Sequence, residues 1–497
     1  MSHAISRRQA IVGMAAASLY GYVRPSHAAA DNAVPSSSPD LQGPVLAERL
    51  AFYADTLDYA DLGAETVEIV KSHLIDSLGC AIAAFDEPPV RICRDVVGNG
   101  TAGAATIIGT PYRTTPDLAT FVNGAALRYL DLNDVYVGRQ AGEAGHPSDN
   151  ITACLAVAEA EKANGRELIT AIVLSYEIVC RLLDAVDLIG RGWDHPLCSL
   201  PATALAAGKL MRIGPDKLAQ AVNISLNGHV PLLQTRMQIL SDWKGLADAE
   251  AARCGVFAAQ LARGGLTGPA PIFEGKAGIF KQVTGPLDIE VEAFGRPFRI
   301  ADCGMKVYPA QIYSATVIPA AIAVAKEAGN LERIKSIEIA TTLNGYRNAG
   351  RDPEKWAPET KATADHSLPY IAARAMFDGD LTNDSYASEK LRDPRLRVFM
   401  QKITVKEDPA LTALMPKAVP NRVTAVLDDG QTIIHQVDDL PGFVGRPMQR
   451  ADAERKFRGN VGHYWPERQT RAVLDALWDL ERQDDLGRLL KKFVIKR

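Results

Sequence analysis

The chain has 497 residues, of which 47% are hydrophobic and 23% charged, proportions typical of a soluble globular protein with a large core. With 55 Lys and Arg against 59 Asp and Glu, the net charge is -4, so no basic excess indicates nucleic-acid binding. The 39 Gly and 29 Pro show no period and there are only seven Cys, which excludes collagen-like and disulfide-scaffold classes. A water-soluble enzyme or binding protein remains.

The first thirty residues predict a twin-arginine export signal. Arg7 and Arg8 precede an apolar stretch over residues 10–23, and small residues over 26–30 suit a signal peptidase. The stretch is shorter than the roughly 20 residues that a membrane-spanning helix needs. We therefore expect removal of residues 1–30 and a soluble mature protein in the periplasm or outside the cell. The alternative is a disordered or amphipathic N-terminus.

Helical patterns dominate the region before residue 303. Residues 31–45 are rich in Pro and Ser and predict a flexible lead-in. From 46 to about 302, apolar residues recur at helical spacing, as over 167–189 and over 246–262, which predicts an all-helical body. The seven Cys include no C-x-x-C pair, so we expect buried thiols, with one or two disulfides left open.

Strand patterns begin after residue 303. Residues 334–339 alternate in polarity like a half-buried strand, and residues 423–437 predict a hairpin around an Asp-Gly turn. Together with residues 402–406 they predict a small antiparallel sheet. Helical spacing returns over 443–497, and a tail that packs back on the first body would make that body discontinuous.

The most informative polar cluster contains Asp131 and His146, with a Gly-rich stretch between them. Ser148 or Asp149 is suited to cap the next helix, which places His146 before a helix N-terminus, where neutral imidazole is favoured. A carboxylate such as Asp131 could orient one ring nitrogen and leave the other to take a proton. The alternative is helix capping beside a loop histidine. A metal site has weak support because no calcium-loop spacing is present.

Further candidates lie near other predicted helix starts. Lysine at the positive end of a helix is unfavourable unless an anion binds there, so Arg236, Lys244 and Lys306 can indicate an anion site. Taken singly, each is more simply explained as a solvated surface charge. His366 and Tyr370 precede another helix, where Tyr370 is equally well explained as a core residue. Metalloprotease, serine-hydrolase and nucleotide-binding motifs are not evident in the sequence.

Together these strings resemble the MmgE/PrpD family, and within it the 2-methylcitrate dehydratase-like branch. The resemblance extends over about residues 45–465 and so covers nearly the whole mature chain. The strings that carry it are YLD-x-ND (129–134), HPSDN (146–150), GWDH (192–195), QTR (234–236), WKG (243–245), GPAPIFEG (268–275), K-x-YP (306–309) and TADHSLPY (363–370).

The resemblance implies a mainly α protein with a large discontinuous all-helical domain, an inserted α+β lid domain, an active site between them, and a homodimer. It also implies small di- or tricarboxylate substrates and a reaction without an iron–sulfur cluster. We therefore expect no metal or other cofactor, no nucleic-acid partner, and no membrane association after signal removal. The predicted bounds are 46–302 and 443–497 for the helical domain and 303–442 for the lid.

Matched residue by residue, the resemblance places Asp131 and His146 at a catalytic Asp-His pair. It places Lys244 and Lys306 at two active-site lysines and Tyr370 at an active-site tyrosine of the lid. His146 is then the general base with Asp131 holding its tautomer, and the lysines stabilise negative charge on a substrate carboxylate. Tyr370 or a water would protonate the leaving hydroxyl. The predicted substrate-binding residues are Arg236, Asn133, Asp134 and His366.

The chain departs from the family pattern at several positions. Val135 replaces a usual Thr, and Gln311 and Tyr313 lie where relatives often have Glu and His. An exported chain would also be separated from the intracellular 2-methylcitrate pathway. We therefore predict a hydro-lyase that acts on a 2-methylcitrate-like hydroxy acid of altered or unknown identity. The alternatives are a decarboxylase, isomerase or epimerase of a related carboxylate, or an exported carboxylate-binding protein that has lost catalysis.

Overall fold

The computed structural model describes residues 43–98, 103–139, 143–443 and 445–496. The predicted export signal and most of the predicted lead-in lie outside these residues. Within the described part of the chain, no helix is long and apolar enough to cross a membrane.

Helices build most of the region before residue 303, as the apolar spacing predicts. The longest of the described helices, Gly165–Ala185, shows how local sequence sets a boundary: the Asn164 side chain accepts from the backbone N–H groups of Arg166 and Glu167, and the Glu167 carboxylate accepts from the Asn164 N–H. This reciprocal capping fixes the helix start. The helices are α1 (Leu46–Thr56), α2 (Ala64–Ala83), α3 (Pro88–Gly98), α4 (Pro116–Arg128), α5 (Ile151–Ala160), α6 (Gly165–Ala185), α7 (Pro196–Leu210), α8 (Pro215–Asn227) and α9 (Ala247–Arg263).

Short strands interrupt this region, which was predicted to be all helical. One pair is formed by β1 (Ala105–Thr106) and β2 (Arg113–Thr114). A second sheet places β3 (Asp134–Val137) between β4 (Ala144–Gly145) and β5 (Gly304–Met305), both antiparallel to it. Strands of two to four residues are too short to give a recognisable alternation in sequence. The second sheet is important for the site because the predicted site residues lie in the chain segments next to its strands.

A second apolar core, formed by residues between Ala310 and Ile433, surrounds a four-stranded sheet. Strand β6 (Ile334–Thr341) pairs in parallel with β7 (Ile403–Glu407) and antiparallel with β8 (Asn421–Leu427), which pairs antiparallel with β9 (Thr432–Val437). The order in the sheet is therefore β7-β6-β8-β9. The predicted hairpin is confirmed, but the fully antiparallel sheet is wrong. A helical crossover joins β6 to β7, and such connections permit parallel pairing. The helices of this region are α10 (Val317–Ala328), α11 (Leu343–Gly345), α12 (Lys361–Ala364), α13 (Leu368–Asp378), α14 (Ser388–Leu391), α15 (Pro394–Met400) and α16 (Pro409–Thr412).

The C-terminal helices return to the first core. They are α17 (Arg450–Val461), α18 (Glu467–Trp478) and α19 (Leu486–Leu490). Phe457 and Leu477 are fully buried in the same apolar cluster as residues of α2, α6 and α7. Lys456 of α17 pairs with buried Asp76 at 2.6 Å and donates to the Leu132 carbonyl at 2.7 Å. The exact domain boundaries at 302 and 443 stay a prediction.

The two chain segments that connect the cores lie side by side. The Met305 N–H donates to the Gly442 carbonyl at 2.8 Å. Gly442 has φ +96°, and a Cβ atom there would lie 2.0 Å from the Met305 carbonyl oxygen, so only glycine fits this position. All seven cysteines are buried free thiols, as predicted, and the sulfur atoms of Cys180 and Cys303 lie 3.7 Å apart.

Candidate active site

A small cavity brings together residues from both sides of residue 303. The turn before β3, strand β4, the segment after β5, and the segments before α5 and α13 converge on it. Its charged and polar walls suit a small polar ligand. The lining side chains with chemical functions are Arg128, Asp131, Glu143, His146, Asp194, His195, Arg236, Lys306, Gln311, Tyr313, Asn348 and His366.

His146 is oriented by backbone, and one of its ring nitrogens is available as a base. It follows β4 and directly precedes a 3₁₀ turn over Pro147–Asn150. Its Nδ1 lies 2.5 Å from the main-chain carbonyl oxygen of Asp134. Because a carbonyl can only accept, Nδ1 carries the proton and Nε2 has the lone pair. Burial, together with the positive charges of Arg128 and Lys306, holds the pKa of His146 well below its ordinary value, so the ring is neutral at pH 7.

Asp131 is the anionic centre of the site. Its Oδ1 accepts from Arg128 at 2.6 Å and from Lys306 at 2.7 Å, and its Oδ2 lies 3.3 Å from the Lys244 ammonium. Burial opposes ionisation, but these three cations hold the pKa of Asp131 well below its ordinary value. The residue has φ 54°, an uncommon conformation for a residue other than glycine. Strong ionic contacts hold it there.

The tautomer role predicted for Asp131 is wrong. Its Oδ1 lies 4.0 Å from His146 Nε2, which is beyond hydrogen-bond distance. The ring nitrogen that needs a partner to fix the tautomer is the other one, Nδ1. The Asp134 carbonyl takes that role. The pairing of β3 with β4 places this main-chain carbonyl beside the ring. A pattern of side chains in the sequence does not reveal such a main-chain partner.

Asn133 and Asp134, predicted to bind substrate, do not line the cavity. The Asn133 amide donates to Ser148 Oγ at 2.9 Å and to Asp149 Oδ1 at 3.1 Å. The Asp134 carboxylate accepts from the Tyr176 hydroxyl at 2.7 Å and from the Ser148 N–H at 3.1 Å. All are buried, so this network positions the His146 loop from behind. Ser148 and Asp149 do not cap α5, contrary to prediction, because the 3₁₀ turn over Pro147–Asn150 continues directly into that helix and places Asn150 at its N-cap position.

The two predicted lysines differ in position. Lys306 lines the cavity, whereas Lys244 lies between two carboxylates, 3.3 Å from Asp131 and 3.2 Å from Asp365. Burial lowers the pKa of Lys244 to about 8 despite these two acids. Lys306 is therefore the better placed of the two to reach a bound anion, and Lys244 positions Asp131.

Arg236 also lines the cavity, as predicted, and anchors a pair of residues that the sequence patterns missed. Its Nε donates to Asp194 at 2.9 Å, and its Nη2 donates to Asp248 at 3.1 Å. The same two carboxylates flank His195, each at 3.0 Å from a different ring nitrogen. Burial lowers the pKa of His195, but Asp248 and Asp194 outweigh it and raise that pKa to about 9. The neutral His146 therefore lies beside a charged histidine, with ring centroids 5.5 Å apart.

His366 lines the cavity and Tyr370 does not. His366 Nδ1 lies 2.6 Å from Asp365, and burial lowers the pKa of His366 to about 3. Tyr370 is completely buried in the second core, where its hydroxyl donates to the Ser385 carbonyl at 2.5 Å and its ring stacks on Tyr386. With its proton committed to that carbonyl, Tyr370 cannot serve as the predicted acid, and the core interpretation of this residue holds.

Three groups of side chains place potential metal ligands within 4.8 Å of one another in the described part of the chain. A basic side chain already pairs with a carboxylate in each: Lys244 with Asp365, Arg236 with Asp248, and Arg253 with Glu250. These protein cations balance the acids. The groups are Asp131, Asp365 and His366; Asp149, His195 and Asp248; and His229, Glu250 and Cys254.

Comparisons with known proteins match both parts of the chain. The MmgE/PrpD N-terminal domain matches residues 48–292, and the MmgE/PrpD C-terminal domain matches residues 308–480. A 2-methylcitrate dehydratase from Salmonella typhimurium is 27% identical over 455 residues, which cover 83% of this chain and 89% of the relative. One from Cupriavidus necator is 27% identical over 84% of this chain and 90% of the relative. A cis-aconitate decarboxylase from Mus musculus is 26% identical over 78% and 81%.

Proposed function

Since the chain belongs to the MmgE/PrpD family, in which its relatives support a lyase, we propose that it is a cofactor-independent hydro-lyase. It would remove water from a hydroxy di- or tricarboxylate related to 2-methylcitrate. The observation that carries this proposal is His146, a neutral imidazole whose Nε2 is available as a base in a cavity walled by fixed cations. Secretion and a homodimer remain part of the proposal.

The proposed step is proton removal from the carbon next to a carboxylate. Negative charge then builds up on that carboxylate, and cations fixed at its oxygens lower the barrier without reorganising. Lys306, Arg128 and Arg236 supply such charges at the cavity wall. His146 Nε2 takes the proton, while the Asp134 carbonyl stabilises the resulting imidazolium through Nδ1–H.

Substrate binding would strengthen the base. In the free protein, Arg128 and Lys306 are among the groups that lower the pKa of His146. A di- or tricarboxylate bound to these cations offsets their charge, so the pKa of His146 rises when the substrate arrives. The base would therefore gain proton affinity only in the complex, where it is needed.

Decarboxylation is the second candidate, favoured by the cis-aconitate decarboxylase relative. It could use the same cations to bind the substrate but would release carbon dioxide instead of water. Val135 and Gln311, which depart from the family pattern, also keep a purely binding role open. These outcomes differ in product, so one experiment separates them.

The test incubates residues 31–497 with 2-methylcitrate, citrate and cis-aconitate and identifies products by mass spectrometry. We expect loss of water from a hydroxy acid, and at least a hundredfold slower turnover in His146→Ala. His463→Ala, which changes an exposed histidine, is the matched control and should keep the wild-type rate. Release of carbon dioxide would show that the reaction is a decarboxylation and not a dehydration. Thermal stabilisation by these acids without any product would leave only binding.

A further inference from the structure

The proposed reaction needs a proton donor that has not yet been assigned. Hydroxide is a poor leaving group, so the C–O bond breaks readily only when a proton reaches the oxygen. Tyr370 lies outside the cavity. The Lys306 ammonium binds Asp131, and both ring nitrogens of His195 face carboxylates. The paired carboxylates stabilise the protonated forms of Lys306 and His195, which disfavours proton transfer from either group to the substrate.

Glu143 is placed differently from every other acid of the site. Its side chain lines the cavity although only 2% of the residue is exposed. One oxygen, Oε1, accepts from the backbone N–H groups of Leu188 at 2.8 Å and Ile189 at 2.9 Å. The other oxygen has no hydrogen-bond or ion-pair partner among the described residues. Backbone therefore fixes the carboxyl group, and Oε2 is left for the cavity.

The surroundings of Glu143 favour its protonated form. Asp131, Asp194 and Asp248 each contact at least one cationic side chain, whereas Glu143 has no salt bridge to any residue that the structure describes. Burial raises the pKa of Glu143 and the negative charge of Asp187 adds to this effect, while the two backbone amides and the charge of His195 oppose it only in part. A carboxyl group whose surroundings favour its protonated form is the kind of group that serves as a general acid.

We propose that Glu143 is the general acid of the site, three residues before the base His146. In the step, Nε2 of His146 takes the proton from carbon and the C–H electron pair forms the double bond. The C–O bond breaks, its electron pair stays on oxygen, and Glu143 supplies the proton that completes the water molecule. Glu143 ends ionised and His146 protonated, and proton exchange with solvent restores both. This assignment rests on the proposed dehydration.

Glu143→Gln with two leaving groups provides the test. Glutamine keeps the shape and can still accept from the two backbone amides, but it cannot give up a proton. With the hydroxy acid that the wild type dehydrates, we expect kcat to fall at least a hundredfold. With the analogue that has fluorine in place of that hydroxyl, fluoride leaves without a proton, so the variant should keep its rate within about threefold.

Matched variants separate this role from a structural one. His146→Ala should lose both eliminations because both need the base. Glu177→Gln changes another buried carboxylate that accepts backbone N–H groups but lies outside the cavity, and should keep both rates. In the wild type, dehydration should also fall as the pH rises and Glu143 loses its proton, a decline absent from fluoride elimination.

Equal loss of both eliminations in Glu143→Gln would overturn the assignment in favour of a structural role. Unchanged dehydration would overturn it in favour of another donor, while the proposed function would stand. A wild-type protein that dehydrates no hydroxy acid would overturn the proposed function and this assignment together.

Discussion

Raising the pH through 9 should weaken the fold through a single side chain, His195. Its two ring nitrogens each lie 3.0 Å from a carboxylate, of Asp194 and of Asp248, and these acids raise its pKa from 6.5 to about 9 despite burial. The folded state therefore binds this proton more tightly than the unfolded state. The stabilisation is complete below pH 6.5 and is lost as the pH rises through about 9.

The expected size follows from the two pKa values. The interval from 6.5 to about 9, at about 1.4 kcal/mol per pH unit, corresponds to about 3 kcal/mol of unfolding free energy. Lys244 acts in the opposite direction, because its pKa is lowered from 10.5 to about 8, so its contribution to stability grows between those values. The wild type alone would mix the two effects.

Urea unfolding of the wild type and of His195→Gln from pH 6 to pH 10 isolates the histidine. We expect the wild type to exceed the variant by about 3 kcal/mol more at pH 6 than at pH 10, with most of the change between pH 7 and pH 9. Lys244 is present in both proteins and cancels in the difference. A stability difference that is independent of pH, or that grows with pH, would refute a charged His195 in the folded protein.

Other predictions concern the core and the connections. Tyr370→Phe removes one hydrogen bond to Ser385 and should cost about 1 kcal/mol in urea unfolding with turnover within twofold; a tenfold slower variant would contradict the placement of Tyr370 outside the site. Gly442→Ala forces a Cβ atom against the Met305 carbonyl, so both melting temperature and turnover should fall, and unchanged values would argue against this close contact. Lys456→Met leaves Asp76 without its partner and should cost about 3 kcal/mol, part of which Asp76→Asn should restore in the double variant; no recovery would argue against the pair.

Periodicity predicted the elements that depend on local pattern. The strand over 334–339 and the hairpin over 423–437 correspond to β6, β8 and β9, because alternation reports which face of a strand is buried. The direction of β7 was predicted wrongly because it depends on the path of the intervening chain. That path is set by packing of the second core, and the sequence of the strand itself contains no signal for it.

Site residues whose function follows from their own side chain were predicted from the sequence. Residues whose function depends on partners far away in the sequence were missed. His146, Lys306 and His366 reach the cavity, as the motifs indicate. Tyr370 belongs to the same motif as His366, yet the helix turns its ring into the second core. His195 shows the reverse, because its charge requires Asp248, which is remote in sequence, and no local pattern reveals that contact.

The contact between Lys456 and the Leu132 carbonyl has a consequence for biosynthesis. Leu132 is adjacent to Asp131, and Asp76, the other partner of Lys456, lies on α2 near the beginning of the described chain. During translation, α17 leaves the ribosome only after the second core and all of the first core except its last helices have been synthesised. Until then the turn that carries Asp131 lacks its brace, so a nascent or C-terminally clipped polypeptide would contain every cavity residue without holding them in working geometry. Catalytic competence would thus report that synthesis has passed α17.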